Sequence, residues 1–269
     1  MTPGASDWVE VNGVCLRYER RGSAGPGVVL LHEMGGAIES WDDVLAALGD
    51  GLQVLRYDQR GFGLSEKGVP ITLADMVADL DALLEAAHFP EPVVLAGAAL
   101  GAALALAFAL RHPDRVRGLV LASPATGGAT PAARAAMEAR HAAIRAGGMR
   151  AVTDRMMAMT YPAGQPWHRE RYERHRRRWL TTDPAAFIAV NEMLADLDLE
   201  SQLPRIACPT LVVGCAHDPI RAPARSAEIA AQLPHARFVE AASGHYMPLQ
   251  HPEEFATRLR EFAATLQRG

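Results

Sequence analysis

At 269 residues, 49% hydrophobic and 22% charged with a formal net charge of −4, the chain has the size and balance of one globular domain carrying an insertion. The near-neutral charge offers no electrostatic footprint for nucleic acid or an anionic membrane. No segment approaches the roughly 20 apolar residues of a spanning helix, and "MTPGASDWVEVNG" lacks the charged-then-apolar order of a signal peptide. The expectation is a soluble cytoplasmic protein whose partner is a small-molecule substrate, with no nucleic acid and no membrane partner; a homodimer stays open. Cys15, Cys208 and Cys215 lack C-x-x-C or metal-ligand spacing, so reduced structural thiols are expected. Lys67 is the only lysine among 27 basic residues, a bias that points to a GC-rich genome and to no function.

In chain order, "WVEVNG" and "VCLRYER" alternate with period two and meet at Asn12-Gly13, which predicts an antiparallel hairpin. "VVLLH", "LQVLRYD", "VVLAG", "VRGLVLAS", "TLVVGC" and "ARFVEA" complete eight candidate strands. Helical patterns separate most of them: "SWDDVLAAL", "TLADMVADLDALLEAA", "LGAALALAFALRHP", "PARSAEIAAQL" and "HPEEFATRLREFAATL". Thr72 and Asp75 form a capping box before the second of these. Strands alternating with such helices require right-handed crossovers, hence an α/β fold with an eight-stranded, mostly parallel sheet flanked by helices. The alternation breaks between Thr130 and Leu203, where every pattern is helical. The expected division is a core of residues 1–128 and 203–269 with a helical cap at 129–202.

In "VVLAGAALGAALALAFAL" a buried strand runs through Gly97-Ala98-Ala99-Leu100-Gly101 straight into a helix. Glycines two residues either side of Ala99 permit a sharp turn that forces the central side chain outward, the G-x-S-x-G nucleophile elbow with alanine for serine. Asp218 follows a late strand in "VVGCAHDP", and His245 follows the last strand in "VEAASGHYMPLQHPEEF". The chain order elbow, acid, base is the order a triad takes in this kind of sheet.

Taken together, "LLHEMGG…SWDDVL", "LRYDQRGFGLSEK", "GAALG", "RHPDRVRGLVLASPATG", "PTLVVGCAHDP" and "GHYMPLQHPEEF" resemble the α/β-hydrolase superfamily, most closely its 3-oxoadipate enol-lactonase-like and C–C-hydrolase-like branch. The resemblance spans nearly the whole core and is weak in the cap. It implies the α/β-hydrolase fold, a catalytic set at Ala99, Asp218 and His245, and an oxyanion hole from the backbone N–H groups of Met34 and Leu100. It also implies hydrolysis of an ester-like or lactone bond in a small, carboxylate-bearing metabolite.

Two residues depart from the family pattern. Glu33 stands where the oxyanion turn usually has glycine, either bonding its own loop or serving as a pocket carboxylate. Ala99 cannot form an acyl-enzyme, which leaves three readings. The chain is a Ser→Ala variant of a hydrolase, with the rest of its site intact. Alternatively it is a serine-free enzyme in which His245, oriented by Asp218, acts as general base in hydrolysis, C–C cleavage, elimination, isomerisation or cofactor-free oxygenation. The third reading is a non-catalytic ligand-binding homologue.

Other candidates are weaker. Trp41 packs at a helix start and is a candidate pocket wall beside Glu33. "RERYERHRRRWL" carries six arginines; it reads as a solvated cationic face, with the sharper option that one arginine turns inward to a substrate carboxylate. Met156, Met157 and Met159 read as cap core before substrate wall. Asp58 and Arg60 in "YDQRGFGLS" are expected to tie loops together. With no G-x-G-x-x-G, H-E-x-x-H or paired Cys/His ligands, neither a nucleotide cofactor nor a metal is expected.

Overall fold

A computed structural model describes residues 6–267. Strands β1 (Asp7–Val11) and β2 (Val14–Arg21) form the antiparallel hairpin, with Val11 facing Val14 across a two-residue turn. Asn12 and Gly13 both have positive φ, 50° and 72°, the backbone of the primed turns whose twist matches that of the strands they join. Strands β3 (Gly27–Leu31), β4 (Gln53–Tyr57), β5 (Val93–Ala98), β6 (Val116–Ala122), β7 (Thr210–Cys215) and β8 (Ala236–Ala241) follow. The sheet order is β1-β2-β4-β3-β5-β6-β7-β8, antiparallel only where β2 meets β1 and β4. Strands β3, β5 and β7 are buried along their whole length, which is why they read as continuous apolar runs and not as alternating ones.

Helices α1 (Asp42–Leu48), α2 (Leu73–Ala86) and α3 (Leu100–Arg111) occupy the first half. Four more, α4 (Pro131–Gly147), α5 (Thr153–Thr160), α6 (Arg169–Thr181) and α7 (Pro184–Ala195), interrupt the alternation between β6 and β7. Helices α8 (Pro223–Gln232), α9 (Met247–Gln250) and α10 (Pro252–Thr265) complete the chain. Thr72 caps α2 as its spacing requires, its hydroxyl oxygen accepting the Asp75 N–H at 3.1 Å. The core divides across the sheet: Leu80 and Leu83 of α2, Leu104 and Phe108 of α3 and Ile229 of α8 pack on one face. Val44 and Leu48 of α1 with Phe255, Leu259 and Phe262 of α10 pack on the other. Helix α3 is buried nearly all round, so an Ala/Leu composition with no polar face suits it.

The loop after β4 is a structural knot, as its polar glycine-bearing sequence implies. The Asp58 carboxylate accepts N–H bonds from Ile38 at 2.6 Å and Leu64 at 2.7 Å and lies 3.3 Å from the Arg17 guanidinium. Burial raises its pKa against the opposing pull of those donors. Arg60 grips Asp79 of α2 with two bonds, Nε at 2.6 Å and Nη2 at 2.7 Å. The cavity described below lies away from both residues. Among the described residues, no helix is long and apolar enough to cross a membrane.

Candidate active site

The β5–α3 junction places Ala99 at φ 51°, ψ −105°, a backbone conformation that costs a non-glycine residue on the order of 1–3 kcal/mol and persists only where the surroundings enforce it. Enforcement comes from both sides. The Ala99 N–H donates to the Ala122 carbonyl of β6 at 3.0 Å, and the Ala99 carbonyl accepts the first helical bond from Ala103 at 3.1 Å. The flanking glycines allow the tight packing: a Cβ at Gly97 would collide with the backbone of Gly101, and one at Gly101 with the carbonyl of Leu31 in β3. The strained elbow is thus built in full, and the side chain it presents is a methyl group.

Asp218 lies just past β7 and His245 in the loop between β8 and α9. His245 Nδ1 donates to Asp218 Oδ2 at 2.7 Å. The second carboxylate oxygen accepts the backbone N–H groups of Ile220 at 2.8 Å and Arg221 at 3.0 Å. Burial opposes ionisation of Asp218, but the hydrogen bond and charge of His245 outweigh it and hold the carboxyl below its usual range. Burial likewise depresses the His245 imidazolium, with Asp218 pulling the other way and the Arg221 charge adding to the depression. The ring is therefore neutral near pH 7, and with Nδ1 committed to Asp218 its basic nitrogen is Nε2. The loop is anchored from below: the Gln250 amide oxygen accepts the Tyr246 N–H at 3.0 Å, and its Nε2 donates to the Thr160 carbonyl at 2.7 Å.

Ala99, His245, Met34 and Leu100 all line one cavity of about 670 Å³ between the sheet's carboxyl ends and the inserted helices. Leu100 opens α3, so its N–H has no intrahelical acceptor. Helix α4 offers Ala133, Met137 and Arg140 to the same space, and α5 offers Met156 and Met159. Met156 and Met159 are therefore cavity wall and only Met157 is fully buried packing; the short amphipathic α5 turns one edge inward. Arg140, Arg221, Asn191 and Tyr246 also line the cavity. Sequence reasoning did not single them out, because the only available signal was their position on helical faces or beside Asp218 and His245.

Glu33 and Trp41 do not line the cavity. The Glu33 carboxylate turns back into its own loop, accepting the Ser40 hydroxyl at 2.9 Å with His175 Nε2 3.9 Å away. Gly36 is required for this turn, since a Cβ there would meet the Glu33 carboxyl. His32 braces the same loop: its Nε2 accepts the Gln59 N–H at 3.0 Å, so Nδ1 carries the proton and donates to the Glu33 carbonyl at 2.7 Å. Trp41 is fully buried against Phe255 of α10, ring centroids 5.6 Å apart, because its place at the start of α1 faces the far side of the sheet. The α6 arginines also stay out of the cavity. Arg171 and Arg174 pair with Asp43, Arg176 with Asp154, and Arg178 donates to Ser40 at 3.1 Å. The inward face of α6 is instead His175 and Trp179.

Three buried histidines make an acid-sensitivity prediction. Desolvation lowers the pKa of His32, His245 and, furthest, His175, where the charges of Arg178 and His245 add to the effect. Below the unfolded value of about 6.5 the unfolded chain takes up protons that the native chain refuses, so stability is full above that pH and falls beneath it. Thermal melts between pH 7.5 and 5 at fixed ionic strength are expected to show Tm falling with acidity. His175→Gln, which cannot titrate, should shallow that fall; an identical fall would remove His175 as a source.

The amino-acid sequence matches the family model described as serine aminopeptidase, S33, over residues 23–244. A putative carbamate hydrolase RutD from Enterobacter cloacae is 33% identical, over 90% of this chain and 92% of its own. A thermophilic esterase from Thermogutta terrifontis superposes with TM-score 0.87 at 26% identity, covering 97% of this chain and 99% of that one. An enol-lactonase from Burkholderia xenovorans LB400 superposes with TM-score 0.85 at 25% identity over 98% and 100% of the two chains. The match covers most of the chain and the eight-stranded sheet agrees with it, so the chain belongs to the serine aminopeptidase S33 family of α/β-hydrolases.

Proposed function

We propose that the protein hydrolyses an ester-like or lactone carbonyl of a small molecule without a covalent intermediate, His245 activating a water beside Ala99. The observation that carries this reading is the buried His245–Asp218 pair at 2.7 Å, facing the same cavity as an elbow whose only missing group is the hydroxyl. A serine-free site needs a base that is neutral and oriented, and this pair supplies one. In the proposed step, His245 Nε2 takes a proton from water, and the water oxygen bonds to the carbonyl carbon. The resulting oxyanion is held by the Met34 and Leu100 amides. Collapse breaks the bond to the leaving oxygen, which receives the proton from His245, and the acid and alcohol leave. The named relatives, an esterase, an enol-lactonase and a putative carbamate hydrolase, support carbonyl hydrolysis over the other general-base reactions open to such a dyad.

The test is turnover of aryl esters, enol-lactones and vinylogous diketones by the parent and by Ala99→Ser, side by side. Parent turnover is expected, with Ala99→Ser changing kcat/KM by no more than about tenfold while newly forming a phosphonate adduct visible by mass. Loss of a true triad serine costs on the order of 10⁶ in kcat. A parent that is inert while Ala99→Ser is active by several orders of magnitude would overturn the non-covalent reading and mark Ala99 as a disabled nucleophile position.

A further inference from the structure

Glu33 and Met34 share one peptide unit, and that unit is held twice over. A trans peptide is planar, so its C=O and N–H point opposite ways and a clamp on one aims the other. The Glu33 carbonyl accepts the His32 Nδ1–H at 2.7 Å and the Gly36 N–H at 2.9 Å. Those two bonds fix the direction of the N–H of Met34, a residue that lines the cavity. The Glu33 side chain supplies the second hold. Its Oε1 accepts the Ser40 hydroxyl at 2.9 Å, and the Ser40 oxygen in turn accepts Arg178 Nη1 of α6 at 3.1 Å and the Ala37 N–H at 3.3 Å. A carboxylate where the resemblance expects glycine thus links the turn to a helix whose arginine lies 138 residues on from Ser40.

Helix α6 meets this turn along one face. His175, Arg178, Trp179 and Thr182 follow the i, i+3, i+4, i+7 spacing that stacks side chains on a single stripe. The Thr182 hydroxyl donates to the Gly35 carbonyl at 3.3 Å. A Cβ at Gly35, where φ is 79°, would lie 3.0 Å from Trp179 Nε1, so the helix comes as close as glycine allows. His175 Nδ1 meets the Tyr161 hydroxyl at 3.0 Å, and its Nε2 stands 3.9 Å from Glu33 Oε1. Among the described residues, His175 Nε2 and Trp179 Nε1 are buried with no hydrogen-bond partner; a helix that only covered the sheet would carry apolar side chains there. The helix itself is pinned to the core. Arg171 Nε lies 3.2 Å from Asp43 of α1, Arg174 pairs with the same carboxylate, and Arg171 pairs also with Glu253 of α10.

Resting on the Met34 amide as an oxyanion donor in the proposed hydrolysis, we infer that Glu33 is a positioning residue for that amide and that Arg178 of α6 holds it in place through Ser40. Neither side chain lines the cavity, so neither touches the reacting atoms. Their effect falls on the transition state, because the charge that the amide meets develops only there. Binding of the ground state rests instead on the wall of Met34, Met137, Met156 and Met159 side chains.

Kinetics of Glu33→Ala, Glu33→Gln and Arg178→Met on the best aryl ester test this, with calorimetric titration of trifluoroacetophenone beside acetophenone. The trifluoromethyl ketone hydrates in water to a tetrahedral diol and presents the oxygen of the intermediate, whereas acetophenone stays planar. Losing one oxyanion donor outright costs about 10²–10³-fold in kcat, so misaiming one in Glu33→Ala is expected to cost about 10–100-fold with KM within about twofold. The preference for trifluoroacetophenone should shrink by a similar factor while acetophenone binds as before, which guards against misfolding. Glu33→Gln still offers an oxygen to the Ser40 hydroxyl and is expected to stay within about fivefold of the parent. Arg178→Met keeps the aliphatic stem and loses the donor; it should repeat the Glu33→Ala pattern more weakly, and it decides the matter if Glu33→Ala does not fold. A kcat unchanged in Glu33→Ala or in Arg178→Met, a loss shared equally by both ketones, or Glu33→Gln as impaired as Glu33→Ala overturns the inference, as does a parent that binds the two ketones alike. The hydrolase reading fails separately. A parent that turns over no ester yet prefers trifluoroacetophenone, and loses that preference in Glu33→Ala, keeps the inference and sinks hydrolysis. Turnover with kcat and preference both untouched by Glu33→Ala keeps hydrolysis and sinks the inference.

Discussion

His245→Ala is expected to lower kcat/KM on any substrate the parent turns over by about 10²–10⁴-fold, the usual contribution of a positioned general base. Among the described residues lining the cavity, Glu200 is tied to Arg225 and Thr126, the arginines are permanent cations, and burial raises the pKa of the Tyr246 hydroxyl and keeps it protonated, so none replaces His245 as a base. His245 sits in a loop and, among the described residues, its ring makes a side-chain bond to Asp218 alone, so a native circular dichroism spectrum is expected to accompany the loss. The parent's pH profile supplies the signature of the mechanism. In the proposed mechanism activity requires the neutral ring, and burial with the Arg221 charge lowers the pKa of that ring. The acid limb of kcat/KM should therefore lie below about 6.5, with the slope of a single proton, and activity should stay flat up to neutral pH. A rate preserved in His245→Ala would remove general-base chemistry from this protein, and the proposed function with it.

Asp79→Ala is the substitution expected to damage the fold most. The Arg60–Asp79 pair is held by two short bonds, with side chains 6% and 1% exposed, and Arg60 Nη1 is further fixed to the Pro70 carbonyl at 2.8 Å. Removing the carboxylate leaves the buried guanidinium with the Pro70 carbonyl and a weaker contact to Asp75 at 3.9 Å, and breaking such a buried pair costs about 3–5 kcal/mol. In a domain of this size that corresponds to a fall in Tm of roughly 6–20 °C. Because Arg60 and Asp79 lie away from the cavity, the fraction that remains folded should keep the parent's kcat/KM; a Tm within a degree or two of the parent would show that Arg60 finds water or another partner. The same reasoning explains why a loop as polar as "YDQRGFGLS" is buried: Asp58 and Arg60 are each answered by donors and acceptors from neighbouring elements.

How far the site was readable from the chain differs from residue to residue. Asp218, His245 and Ala99 were legible because each sits one to four residues beyond a strand end, and strand ends follow from local apolar runs and the glycines and prolines that stop them. Parallel pairing then gathers those ends on one side of the sheet. Glu33 was placed in the right loop, but the direction of its carboxylate depends on Ser40, seven residues on, and on His175 of α6. Trp41 was placed at the right helix start, yet which side of the sheet it faces is decided by α10, more than two hundred residues later. The six arginines of α6 drew attention by number, whereas the arginines that line the cavity are Arg140, Arg221 and Arg225, with no motif around them.

The sequence by itself determined the eight strands, the primed hairpin turn, the helices between β6 and β7, and the places of Ala99, Asp218 and His245 just beyond strand ends. All of these are set by periodicity, glycine conformational freedom and chain order, which act over a few residues. Only the tertiary structure decided which side chains share the cavity and where a buried carboxylate turns. The reason is that long side chains such as arginine, glutamate and methionine find their partners through the packing of α4 to α7 over the sheet, across separations of tens to hundreds of residues that no local pattern records.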